Sequence, residues 1–192
     1  EALGIDISLG AEQIQECVRI TGIGFAFAPV FHPAMKNAAS ARRELATPTV
    51  FNILGPLANP AKPKAVAIGV ARAVLLELVA TVLAERGCEG FIFRGDDGLD
   101  EISLSTTSTI FQINNGEITR HIFDPSEIGL ERVGIEELRG GTPSENAEIT
   151  RAIFAGKGGP YRQSVLLNAA AAIAAFKADF HLGLTQQFAN GY

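Results

Sequence analysis

The sequence contains no tryptophan and only two cysteines, Cys17 and Cys88. Neither cysteine lies in a CxxC pair or beside histidines at ligand spacing, so no zinc framework is present. Both fall in apolar helical or strand-edge contexts, where a buried thiol is the expected state. Long apolar runs are missing too. The longest, Val165 to Phe176, is interrupted by Asn168 and falls short of the roughly 18 residues a bilayer span needs. No basic, apolar leader opens the chain, and a cytoplasmic protein with no membrane partner is expected. Positive charge is scarce: 16 Lys and Arg stand against 21 Asp and Glu, a net charge of -5. A nucleic-acid binder would carry a basic stripe, so nucleic acid is not an expected partner. There is also no GxGxxG, no phosphate-binding P-loop and no Ser/His/Asp order.

What remains is an ordinary globular chain. Its 192 residues, 47% hydrophobic and 19% charged, make one domain long enough to bury a substantial core. Ser8 is placed to cap a helix carrying Ile14, Cys17 and Val18 that stops near Gly22. Phe25 to Phe31 reads as an extended apolar run broken by Pro29, and Pro33 opens a second helix through Arg42 and Arg43. Lys64 to Val70 reads as a strand, and Gly90 to Phe93 as another. Between them, Val74 to Arg86 reads as a helix with Leu75, Leu78, Val79, Val82 and Leu83 inward and Gly87 at its end. Thr109 to Phe123 around Asn115-Gly116 is a β-hairpin pattern. Thr142-Pro143-Ser144-Glu145 is a capping box for a helix ending at Gly156. A last long helix covers about Tyr161 to Phe176, and the chain closes in a helical stretch over Thr185 to Tyr192. The expected fold is α/β: a parallel-type sheet flanked by helices, with a β-hairpin insertion, in a single domain over 1–192.

Three segments carry chemistry: Phe31 to Lys36, Phe51 to Pro60 and Gly95 to Ser103. Asp100 and Glu101 lie just past the carboxyl end of an inferred parallel strand, where open α/β sheets place ligands. Two adjacent hard-oxygen donors suit Mg²⁺, which takes one or two carboxylates and fills its shell with water and phosphate oxygens. A solvated acidic turn is the alternative, and Asp96 and Asp97 belong to such a turn. His32 and Arg42 stand ten residues apart, nearly three helical turns, so both can face one side about 15 Å apart. Arginine's planar fork suits a carboxylate; a solvated helix edge and a histidine cap are the alternatives. Gly55-Pro56 with Asn59-Pro60 reads as a rigid turn between a helix and a strand, or as backbone presented to a flat ligand. Together these groups suit holding an anionic organic molecule beside a metal-bound phosphate ester.

The wording of these segments resembles the anthranilate phosphoribosyltransferases. The match rests on His32-Pro33-Ala34-Met35-Lys36, Arg42-Arg43-Glu44-Leu45, Phe51 to Pro60 and Gly95 to Ser103. Leu138-Arg139-Gly140-Gly141, Glu145-Asn146 and Leu167-Asn168-Ala169-Ala170-Ala171 continue it, in order over nearly the whole chain. The resemblance implies transfer of a ribose phosphate from phosphoribosyl diphosphate to the anthranilate amine. The fold it implies is of the nucleoside phosphorylase and phosphoribosyltransferase type, a helical domain joined to an α/β domain, in a homodimer. By the same resemblance Arg42 binds the anthranilate carboxylate, while His32, Met35, Gly55 and Pro56 line the aromatic's route. Asp100 and Glu101 hold Mg²⁺ against the diphosphate. No general base is assigned. Members of that family begin earlier, with a helical dimerisation segment and a glycine-rich diphosphate loop, so the chain reads as an incomplete α/β catalytic portion. A pyrimidine nucleoside phosphorylase of the same fold is disfavoured by the His32 to Lys36 and Phe51 to Leu57 wording. A catalytically silent binding relative is disfavoured by the intact Asp100-Glu101 pair and the acidic balance.

Overall fold

The computed structural model describes residues 1–34, 44, 47 and 51–192. The expected helix through Arg42 and Arg43 lies outside the described residues. The chain divides into two compact units, Glu1–Ala61 and Lys62–Tyr192.

In the first unit α1 spans Ala11–Thr21 and ends at Gly22 in the left-handed conformation, φ 80°, as the glycine stop predicts. Its N-cap is Gly10 and not Ser8. The Gln13 side chain reaches back to the Gly10 amide at 2.9 Å, while the Ser8 hydroxyl is taken by Asp6 at 2.7 Å. Cys17 is half-buried, not buried, because no residue of α1 is fully covered within this unit. The apolar run is extended only as far as Phe27; Ala28–Phe31 forms a short helix, α2, with Pro29 in its first turn. Helix α3 covers Phe51–Leu57 and contains Pro56. Gly55-Pro56 therefore lies inside a helix, and the expected turn comes later, where Asn59 Oδ1 accepts the Ala61 amide at 2.9 Å.

The second unit is built on a sheet of order β1-β2-β3-β4, comprising β1 Ala65–Gly69, β2 Glu89–Gly95, β3 Ser108–Asn114 and β4 Glu117–Phe123. The β1–β2 pair is parallel, as the strand–helix–strand pattern predicts. The hairpin is not an appendage: β3 lies antiparallel on β2 and β4 on β3, making one mixed sheet. A return loop over 96–107 needs no crossover helix, so β3 can come back along its own predecessor. Asn115 and Gly116 take positive φ, 49° and 80°, which a two-residue turn matched to strand twist requires.

Helix α4, Leu76–Glu85, follows a 3-10 turn over Ala73–Leu75. That turn shifts the helical phase, so Leu76, Val79, Ala80 and Leu83 are buried and Leu78 faces out, half exposed at 51%. α4 packs on one face of the sheet, where Ile92 and Ile113 point. Helix α5 spans Pro143–Phe154, with Thr142 and Glu145 completing the expected capping box. Helices α6, Pro160–Lys177, and α7, Leu184–Gly191, cover the other face. There the Phe188 ring meets Phe91 and Phe123 edge-on, with centroids 5.1 and 5.2 Å apart, a favoured aromatic geometry. Cys88 is buried, as expected.

This packing can be tested at two positions. Gly90 has φ 131°, and a Cβ there would lie 2.0 Å from the Val66 carbonyl oxygen. Gly90→Ala must part β1 from β2 and is expected to cost at least about 1–3 kcal/mol in denaturant unfolding; an unchanged midpoint would refute the close approach. Asp124 is held down to about 2, chiefly by Arg132 and then by Ser126. Its contribution to stability is therefore full above the ordinary aspartate value and is lost as pH falls through about 2. Asp124→Asn should lower the midpoint at pH 6, with the difference closing towards pH 2.

Candidate functional site

The carboxyl ends of β1 and β2 are the only place in the second unit where a long loop arches over parallel strands. The turn after β2 is tight: the Leu99 carbonyl accepts the Gly95 amide at 2.9 Å and the Gly95 carbonyl accepts the Gly98 amide at 3.0 Å. Gly98 supplies φ 108°, which other residues rarely adopt. The chain then drops onto Gly69, the last residue of β1. A Cβ at Gly69 would stand 1.6 Å from the Asp100 carbonyl oxygen, so only glycine permits that approach. On the other side, Asn168 of α6 holds Ile102 at both backbone groups. Its Oδ1 accepts the Ile102 amide at 2.8 Å and its Nδ2 donates to the Ile102 carbonyl at 3.1 Å.

The four acidic residues of this loop divide into two kinds. Partial desolvation raises the Asp97 carboxyl, yet hydroxyls of Ser103 and Ser105 and the Leu99 amide outweigh that and leave it lowered. The Ser103 bond is 2.5 Å long. Asp96 accepts the Thr107 hydroxyl at 2.5 Å and that of Thr109 at 3.3 Å. Both therefore serve the loop, as the turn reading expects. Asp100 and Glu101 are exposed, and among the described residues no protein group is hydrogen-bonded to either carboxylate. Glu101 is pushed up, first by partial desolvation from its surroundings and then by the Asp100 charge. Two hard-oxygen donors with a mutual repulsion that a cation would relieve fit Mg²⁺. Among the described residues no cluster of three or more His, Cys, Asp or Glu side chains is placed to hold a metal ion. Such an ion would draw the rest of its shell from water or phosphate oxygens.

The other expected site residues fall in the first unit or outside the described residues. His32 is half-buried just after α2, and its amide donates to the Ala28 carbonyl at 2.8 Å. Gly55 is half-buried with nothing within 4 Å of where a Cβ would stand, and Pro56 beside it is exposed. Arg42 and Met35 lie outside the described residues. Sequence reasoning missed Gly69 and the role of Asn168. The signal for the second was there: Asn168 is the one polar side chain between Val165 and Phe176, and a polar group in an apolar helix needs partners.

No helix among the described residues is long and apolar enough to cross a membrane. Residues 1–186 match the family model described as "Glycosyl transferase family, a/b domain". An anthranilate phosphoribosyltransferase of Rhodococcus opacus (strain B4) is 55% identical over 92% of this chain and 49% of its own length. The structure of the anthranilate phosphoribosyltransferase from Thermus thermophilus superposes with a TM-score of 0.87 at 37% identity, covering 99% of this chain and 56% of that one. The Saccharomyces cerevisiae anthranilate phosphoribosyltransferase, solved with 4-fluoroanthranilate and also with PRPP and Mg, gives a TM-score of 0.87 at 27% identity, over 99% of this chain and 54% of that one. The chain thus spans about half the length of the relatives it matches. With an α/β unit of the expected kind and a family match over almost every residue, the chain belongs to the glycosyl transferase family, in its a/b domain.

Proposed function

We propose that the protein transfers the phosphoribosyl group of phosphoribosyl diphosphate to the amine of anthranilate, giving N-(5-phosphoribosyl)anthranilate and diphosphate. The observation that carries this reading is the Asp100-Glu101 pair, exposed in the loop that crosses the carboxyl ends of β1 and β2 and without a hydrogen-bond partner among the described residues. It stands in a chain 55% identical to a protein named for that reaction. Asp100 and Glu101 would hold Mg²⁺, which supplies countercharge to a departing diphosphate.

The protein's own task is placement. Breaking the C1–diphosphate bond builds positive charge on the sugar and negative charge on the leaving group, and the anthranilate amine is already a nucleophile. Alignment, exclusion of water and electrostatics suffice, with no covalent enzyme intermediate. Arg42 takes the anthranilate carboxylate with its guanidinium fork. His32, Met35, Gly55 and Pro56 line the route of the ring. We assign the working protein to the cytoplasm and to a homodimer, with anthranilate and phosphoribosyl diphosphate as its small-molecule partners.

The test is consumption of anthranilate, read as loss of its fluorescence, in the complete protein with phosphoribosyl diphosphate and Mg²⁺. No consumption by the folded, unaltered protein would sink the assignment. Asp100→Asn combined with Glu101→Gln is expected to raise the Mg²⁺ concentration required and leave the far-ultraviolet circular dichroism unchanged; an unaltered Mg²⁺ dependence would remove the metal role. Arg42→Ala should raise the KM for anthranilate about 10–100-fold, the worth of a charge-assisted hydrogen-bonded pair. An equal rise for the phosphoribosyl donor would remove the carboxylate role.

A further inference from the structure

Helix α6 is apolar on almost every side. From Val165 to Phe176 it offers one polar side chain, Asn168. That amide is not spent on a helical neighbour alone. Nδ2 does donate to the Ser164 carbonyl at 3.1 Å, a local bond that a small polar residue could also make. Its two remaining bonds go to a single residue 66 positions earlier, the Ile102 amide at 2.8 Å and the Ile102 carbonyl at 3.1 Å. The amide thereby reads the Ile102 backbone as a neighbouring strand would. Ile102 is fully buried and directly follows Glu101.

Glu101 therefore stands between two anchored residues. Before it, the Asp100 backbone rests on Gly69 with no room for a Cβ. After it, the Ile102 backbone is gripped by Asn168. A carboxylate repelled by its neighbour would swing away if either anchor were released. We propose that Asn168 is a positioning residue for a divalent cation at Asp100 and Glu101, fixing the Ile102 backbone so that the Glu101 carboxylate keeps its direction. This rests on the reading of that pair as the Mg²⁺ site. Groups that orient metal ligands without touching the metal are worth about 10–100-fold in metal affinity.

Asn168→Leu keeps the branched side-chain shape, at a somewhat larger volume, and removes the hydrogen bonds; Asn168→Ala is the companion that removes them by truncation, so an effect shared by both is not one of side-chain size. Mn²⁺ serves as the probe, its binding to the complete protein read by electron paramagnetic resonance, with hydrogen exchange followed at the Ile102 amide. The expected result for Asn168→Leu is Mn²⁺ affinity lower by about 10-fold or more and faster exchange at Ile102, with exchange in the β3–β4 hairpin unchanged. Asp100→Asn with Glu101→Gln should remove Mn²⁺ binding while Ile102 stays protected. If that double variant loses Mn²⁺ and Asn168→Leu keeps full affinity, the positioning role is overturned and the metal site stands. If the double variant binds Mn²⁺ normally, the metal reading fails and the inference with it. Should both Asn168 variants fail to fold, the unaltered protein decides. Coupling is reciprocal, so saturating Mg²⁺ must slow exchange at Ile102, and no slowing overturns the proposal.

Discussion

The close approach of the Asp100 backbone to Gly69 is the constraint on which the second unit's chemistry depends. A Cβ at Gly69 would fall 1.6 Å from the Asp100 carbonyl oxygen, so a loop that belongs after β2 is laid directly over the end of β1. The consequence is positional. The main chain that carries the two carboxylates leaves the end of β2 and crosses the end of β1, and among the described residues neither carboxylate is in an ion pair.

That approach is matched by a second one deeper in the sheet. At Gly90, where a Cβ would press on the Val66 carbonyl and on Ala175, β2 and α6 come together because neither offers a large side chain. Ala171, Ala174 and Ala175 of α6 are buried against the sheet for the same reason. Small residues usually weaken a core by burying little area. Here the lost area is offset by the aromatic contacts of Phe188 with Phe91 and Phe123. The gain is that α6 lies near enough for Asn168 to reach Ile102.

Charge is distributed on the same logic. Within one loop, Asp96 and Asp97 are satisfied by hydroxyls of Thr107, Thr109, Ser103 and Ser105, and they stiffen the chain. Asp100 and Glu101 are left side by side, and the Glu101 carboxyl is raised first by partial desolvation and then by the Asp100 charge. A buried polar group without partners is costly; an exposed pair of like charges is less so and is relieved when a cation arrives. The loop thus separates the groups that build it from the groups it presents.

Local chemistry made much of this legible in the sequence. Turn residues and caps act over four or five positions, so Gly22, Asn115-Gly116, the Thr142–Glu145 box and Gly156 could be read directly. The Asp100-Glu101 pair was legible because it follows an apolar strand and a glycine-rich turn. Where the pattern misled, a competing contact was the cause. Ser8 was passed over as a cap because Asp6 competes for its hydroxyl, and Leu78 faces out because a 3-10 turn before α4 resets the helical phase. The hairpin's union with the sheet depends on which strand edge is free, a question that periodicity does not pose. Sequence by itself determined the elements, their order and the residue types that bear charge, since each follows from near neighbours. Only the tertiary structure decided that Gly69 and Asn168, 31 positions before and 68 after Asp100 in the chain, meet the two sides of one acidic loop. That choice is set by the packing of α6 and β1 about β2, and no local pattern encodes it.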